Sequence, residues 1–209
     1  MKKIVVLLIL PLLLAHCASV STLQTGRVLK KGDSFHTLGV GTYGSDDFLG
    51  GNDISLPLIE YTYRRGFWKD IDAGIKLAII GSTMVDVKYN LVDGDKFALA
   101  TGLGIGYLSF TSEFNGVEQK STIIDFMLPL YLSYDVGQKV TLYGAPKFMF
   151  RTISASSGGT VSGDGSLLSS TLGVKWGVES GVFLEGSLIA GLDSDFTGTQ
   201  FNGAYFFRF

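Results

Sequence analysis

The chain has 209 residues, 46% of them hydrophobic, with 28 glycines against 4 prolines and a formal net charge of -2. A charge this close to neutral argues against a nucleic-acid binder, and a single cysteine excludes an intrachain disulfide. Past the first residues there is no apolar run long enough for a membrane helix and no helical amphipathic period. What remains is a series of period-two segments in which 15 Phe, 9 Tyr and 2 Trp recur.

The first element is a leader. Lys2 and Lys3 form a positive start, and Ile4 to Ala15 is an apolar run of about twelve residues containing Pro11. That is too short for a spanning helix, which needs roughly 20 residues. The pattern predicts a cleaved export signal over residues 1–16, to be left out of fold reasoning. Leu14-Ala15-His16-Cys17 resembles the lipobox of bacterial lipoproteins, where a leucine, a small residue and a glycine or alanine precede the lipidated cysteine. His16 departs from the last of these. The resemblance implies lipid attachment at Cys17. The other reading is ordinary cleavage near Ala18 or Ser19, with Cys17 discarded. Residues 17–33, including Leu23-Gln24-Thr25-Gly26-Arg27, are either a periplasmic tether or a plug segment that enters the domain that follows.

Residues 34–209 carry ten alternating segments: Ser34–Tyr43, Ile54–Arg65, Asp70–Ile80, Thr83–Val92, Phe97–Phe110, Thr122–Tyr134, Val140–Ile153, Leu167–Trp176, Val182–Leu192 and Gln200–Phe209. Alternation over about ten residues with turn signals between is the pattern of a transmembrane barrel. Short connections (Gly66–Lys69, Asp93–Lys96, Asp135–Lys139, Gly177–Gly181) interleave with longer polar ones (Gly44–Asp53, Thr111–Ser121, Ser154–Ser166, Asp193–Thr199). One long-side connection is short: Gly81-Ser82 reads as a two-residue type II′ hairpin. The predicted fold is all-β, a closed antiparallel up-and-down transmembrane β-barrel of ten strands, or eight if the Ile80–Thr83 hairpin and a neighbour are loop. An even count puts both chain ends on the side of the short turns.

One face of the segments is apolar. It includes Ile75, Leu77, Val85, Val87, Leu103, Ile105, Phe126, Leu128, Leu130, Leu142, Phe148, Phe150, Leu172 and Val174. The opposite face carries Glu60, Arg64, Asp72, Lys76, Asp86, Lys88, Asp125, Lys147, Arg151, Lys175, Glu185 and Arg208, with Gly102, Gly104 and Gly106 and with Tyr131 and Tyr143. A charge facing lipid costs about 2–4 kcal/mol near the midplane, so these residues are expected inside, where both signs can pair. The other use of the same charges is to line a narrow channel. Phe67, Trp68, Tyr89, Phe97, Tyr134 and Trp176 gather near the short turns as an interfacial girdle.

The final segment is similar to the C-terminal signature of bacterial outer-membrane β-barrel proteins: Phe209, Phe207, Tyr205 and Phe201 at alternate positions, with Gly203 weaker than the usual apolar residue. That resemblance implies recognition of this strand by the outer-membrane barrel assembly machinery, and a location in the outer membrane among its lipids. With the lipobox it implies a lipid-anchored N-terminus on the periplasmic side. A catalyst is not expected. After signal removal His36 is the remaining histidine, it starts the first strand, and the serines of Ser154 to Ser170 lie at the other end of the barrel, out of reach of a base. No cofactor or metal ligand set stands out, and Asp46, Asp47 and Asp53 read as a solvated acidic loop. The expected role of the monomer is structural, or binding of an extracellular ligand through the longer loops. A narrow pore is the alternative, and a lipid-modifying enzyme a more distant one.

Overall fold

The computed structural model describes residues 19–46, 54–79, 81–114, 117–156, 160–194 and 196–209. The described strands are β1 (Ser34–Asp46), β2 (Ile54–Trp68), β3 (Ile71–Ala78), β4 (Thr83–Asp93), β5 (Phe97–Phe114), β6 (Val117–Asp135), β7 (Val140–Ser156), β8 (Thr160–Gly177), β9 (Ser180–Gly191) and β10 (Thr197–Arg208). They form one closed barrel in which every strand pairs with its sequence neighbours and β1 pairs with β10. The expected fold and strand number are both found. All neighbours are antiparallel, so each strand needs only a hairpin to reach the next, and closure leaves no unpaired edge.

The seam between β1 and β10 runs in unbroken register from Phe35 opposite Arg208 to Asp46 opposite Thr197. It is completed by Ser34 and Phe209, each of which donates its amide to the other's carbonyl. Aromatic packing reinforces the outer side of this seam. The His36 ring stacks on Phe207 with centroids 4.8 Å apart and meets Phe209 edge-on at 5.7 Å, while its Nδ1 lies 2.7 Å from the Tyr61 hydroxyl.

The long-side connections differ from the sequence expectation. Much of Thr111–Ser121 and Ser154–Ser166 is paired: β5 and β6 stay in register out to Phe114 opposite Val117, and β7 and β8 to Ser156 opposite Thr160. A hairpin that rises beyond the bilayer has water on both faces. It keeps its ladder but loses the apolar alternation by which a strand is recognised. The β3–β4 hairpin turns earlier than Gly81-Ser82. The Gly81 amide donates to the Ala78 carbonyl and the Ala78 amide to the Ser82 carbonyl. Gly81 itself has φ +90°, the left-handed position of a bulge-type loop rather than the first corner of a two-residue turn. This hairpin leaves a notch in the rim, because β2 and β5 on either side continue past it.

Side chains sort by the pleat. Leu172 is 72% and Leu103 67% exposed on the outer face, whereas Ala145 and Phe206 are fully covered inside. Phe67, Trp68, Tyr89, Phe97, Tyr134 and Trp176 are all exposed near the turn side.

Leu128, 53% exposed on the outer face of β6, tests this sorting. Leu128→Arg is expected to lower the unfolding free energy in lipid vesicles by about 2–4 kcal/mol, and Leu128→Phe to leave it nearly unchanged. Urea titration of the vesicle-folded protein checks both.

Candidate functional site: a lumen occupied by the N-terminal segment

A barrel of eight strands is filled by its own inward side chains, and interior width grows with strand number. In this ten-stranded barrel the additional space holds residues 19–29 of the same chain. Val20, Ser21, Thr22, Leu23 and Gln24 are all buried. The segment is not a strand, and its path can be followed by its partners from one end of the lumen to the other.

At the turn side, Arg27 reaches two of the short connections. Its Nε and Nη2 donate to the Asp135 carboxylate at 2.9 and 2.6 Å, and Nη2 also to the carbonyls of Gly94 and Asp95. Lys88 Nζ donates to the carbonyls of Thr25 (3.0 Å) and Arg27 (2.8 Å), and the Leu29 amide donates to Asp72 at 2.9 Å. Below this level the chain turns to enter β1. The Gly32 amide donates to the Gly66 carbonyl, and a Cβ at Gly66 would lie 2.1 Å from the Lys30 carbonyl oxygen, so only glycine admits the crossing.

Midway, Glu185 receives the amides of both Thr22 and Leu23 at 2.8 Å, the Tyr143 hydroxyl at 2.8 Å and the Asn202 side-chain amide at 3.1 Å. Leu23 has φ +45°, a left-handed conformation that a leucine adopts only at a cost. The kink turns two successive amides toward one carboxylate, the geometry of an anion-binding nest. It also sends the Leu23 side chain into the cluster of Phe35, Tyr143, Phe183, Ala204 and Phe206. Gln24 donates to the Tyr131 hydroxyl at 3.0 Å.

Higher up, Lys76 Nζ donates to the carbonyl and hydroxyl oxygens of Ser21, both at 2.6 Å, and Lys147 Nζ donates to the Val20 carbonyl. Glu60 accepts from the hydroxyls of Ser19 and Ser21 at 2.9 and 2.8 Å. The Val20 amide donates to the Gln200 side chain at 3.0 Å. The Val20 side chain joins an apolar collar of Tyr43, Leu58, Met127, Met149, Leu167 and Ile189, with Phe196 of the β9–β10 connection packed against it.

The inward charges therefore do two things, and Asp72, Lys76 and Lys88 do both. Some pair with one another: Arg64 holds Asp72 at 2.6 Å and Asp86 at 2.7 Å, and Arg151 holds Asp125 at 2.7 Å. Lys88 lies 3.5 Å from Asp72, and Lys76 3.6 Å from Glu60. Glu185 and Lys147 instead bind the main chain of the segment. The paired network of strand charges thus has the N-terminal segment as a further member. Two of the twelve lie nearer the turn-side mouth: Arg208 pairs with Asp33, and the half-buried Lys175 sits 4.7 Å from the Phe206 ring centroid.

Several participants carried no sequence signal of their own. Gln200 and Asn202 occupy alternate inward positions of β10, the first holding the Val20 amide and the second donating to Glu185, and Arg27 precedes the barrel altogether. Phe201, Tyr205 and Phe209 are exposed on the outer face, and Phe207 is half-buried under His36. Cys17, Asp47 and Asp53 lie outside the described residues, as does the side chain of Asp46.

Beneath the segment a polar vestibule of about 1220 Å³ opens at the turn side, lined by Lys30, Lys69, Asp95, Lys96 and Lys175 among others.

No protein-family model matches the chain, and neither does any curated protein sequence. Solved structures do match. The translocator domain of the autotransporter NalP from Neisseria meningitidis aligns with a TM-score of 0.54 at 10% identity, over 87% of this chain and 90% of that one. The outer membrane protease OmpT from Escherichia coli aligns with a TM-score of 0.52 at 10% identity, over 90% of this chain and 100% of its own. Ail, the attachment invasion locus protein of Yersinia pestis, aligns with a TM-score of 0.50 at 11% identity, over 86% and 99%. At such identities the likeness is one of fold, and the fold is that of bacterial outer-membrane β-barrels.

Asp72, wholly buried, serves Arg64, Lys88 and the Leu29 amide at once. Asp72→Ala leaves the buried Lys88 without its anion and Arg64 with Asp86 alone, and is expected to cost about 3–5 kcal/mol. Arg208→Ala, at a partly exposed pair, is expected to cost about 1 kcal/mol or less. Unfolding titrations in vesicles distinguish the two.

Proposed function

We propose that the protein is a small, monomeric lipoprotein of the bacterial outer membrane whose barrel is closed by its own N-terminal segment. Its role is structural or surface-binding, exerted through the loops opposite the short turns. The observation that carries this reading is the lumen. Residues 19–29 occupy it, and inward charges are engaged with that main chain rather than left free to line a water path. The apolar outer face supports the membrane location, because only a closed sheet leaves no backbone group unpaired in lipid. Closure also supports the monomer, since it leaves no edge strand for a second copy.

Two features of the sequence support the rest. Leu14-Ala15-His16-Cys17 supports acylation of Cys17, and Phe201, Tyr205, Phe207 and Phe209 support recognition by the barrel assembly machinery. A binding rather than a catalytic role is supported by His36, whose ring is spent on the outer seam against Phe207 and Tyr61. Of the proteins with similar folds, Ail is an attachment invasion locus protein solved with a heparin analogue, and it sets a precedent for binding by a barrel of this kind.

A second reading, a narrow pore for small solutes or ions, draws on the turn-side vestibule. It requires the segment to leave the lumen. The full-length chain refolded into a planar bilayer is expected to show no steady conductance steps, and a chain lacking residues 19–29 to show them. Steady steps from the full-length chain would favour the pore. For the lipid, Cys17→Ser is expected to abolish incorporation of labelled palmitate in cells. Unchanged incorporation would remove the lipoprotein part of the proposal.

A further inference from the structure

The direction in which the segment crosses the lumen has a consequence for where the chain's N-terminal end stands. β1 starts at the turn side, at Ser34. The contacts of the preceding residues climb away from that side without reversal. Arg27 is tied to the β4–β5 and β6–β7 turns, Thr22 and Leu23 to Glu185 in mid-barrel, and Val20 to Gln200 and the collar that Phe196 packs against from the β9–β10 connection. Ser19 and Val20 line a small cavity together with Ser82 and Thr83 of the β3–β4 hairpin. That hairpin is flanked by strands that continue beyond it.

We infer that the chain ahead of Ser19 is presented on the loop side of the barrel, so that Cys17 and its lipid stand at the outer leaflet rather than the periplasmic one. The inference rests on the outer-membrane lipoprotein reading above and replaces the periplasmic anchor expected from strand parity. Parity counts strands and says nothing of a segment that doubles back through the lumen. Cys17 is two residues from Ser19, a reach of at most roughly 7 Å. Returning to the turn side from there would mean passing back along a lumen already occupied by residues 20–29. The contacts themselves suit threading. Glu185, Lys76, Lys147, Lys88 and Asp72 all address main-chain amides or carbonyls, so the lumen grips the backbone of the segment along its length.

The test places one epitope in three chains, each with Cys17 retained: between Cys17 and Ala18, at Gly163, and at Gly137. Gly163 and Gly137 are exposed on the loop and turn sides, with open space around each. Intact and permeabilised cells are probed with the same antibody, and heat-modifiable gel mobility reports folding. The expected result is that the tag after Cys17 is reached on intact cells at the level of the Gly163 tag, while the Gly137 tag needs permeabilisation. If the tag after Cys17 behaves like the Gly137 tag, the inference is overturned and the barrel orientation stands. If the Gly163 tag also needs permeabilisation, the outer-membrane reading itself falls, and the inference with it. Should the insertion prevent folding, A18C in a Cys17→Ser chain exported on a non-lipoprotein signal gives the same comparison. A membrane-impermeant maleimide is then the probe, with G163C and G137C as references. Labelling of folded A18C only after permeabilisation, or not at all, overturns the inference.

Discussion

An extended peptide buried in a barrel brings amides and carbonyls that have no ladder to join, and each must find a partner or the segment will not stay. The interior of this protein is organised around that requirement. Glu185 satisfies two consecutive amides, Lys76 and Lys147 two consecutive carbonyls, Lys88 two more, and Asp72 and Gln200 one amide each. Isolated charges would be costly in such a place, yet they are the strongest hydrogen-bonding partners a side chain can offer. The strained left-handed Leu23 belongs to the same arrangement, since the kink that aims two amides at Glu185 also seats a leucine among the aromatic residues below.

The remaining ion pairs brace this arrangement from behind. Arg64 spans Asp72 and Asp86 on successive strands, and Asp72 in turn holds the Leu29 amide. Pairing across adjacent strands fixes their inward side chains in one orientation around the segment. Buried pairs of this kind often contribute little net stability against an apolar alternative, but losing one partner is expensive. The lumen is thus held to a single occupant by specificity more than by gross energy. Around Val20, Tyr43, Met127 and Met149 join the apolar collar about its side chain, while Gln200 and Lys147 hold its amide and carbonyl.

Closure of the sheet is a separate matter, decided on the outer surface. The β1–β10 seam joins the two ends of the barrel's sequence and so carries the largest loop-closure cost of any strand pair. It is also where aromatic packing is densest, with His36, Tyr61, Phe207 and Phe209 gathered over it. The one barrel histidine is used as an interfacial aromatic, which removes it from any chemistry in the lumen.

Local pattern determined the barrel. Period-two alternation, ten segments, the girdle near the short turns and the terminal aromatics are properties of single strands, and each can be read without knowing what lies across the sheet. The alternating pattern stopped short of the paired outer ends of β5 to β8, and it misplaced the β3–β4 turn, where Gly81 serves the bulge rather than the corner. The inward placement of charge was legible for the same reason. What those charges hold was not. Glu185 and Thr22 are far apart in sequence, and no periodicity in residues 19–33 distinguishes a tether outside the barrel from a chain within it. That choice, and with it the filled lumen and the direction of the N-terminal end, depends on the width of ten strands closed in one register. Only the tertiary structure sets that width.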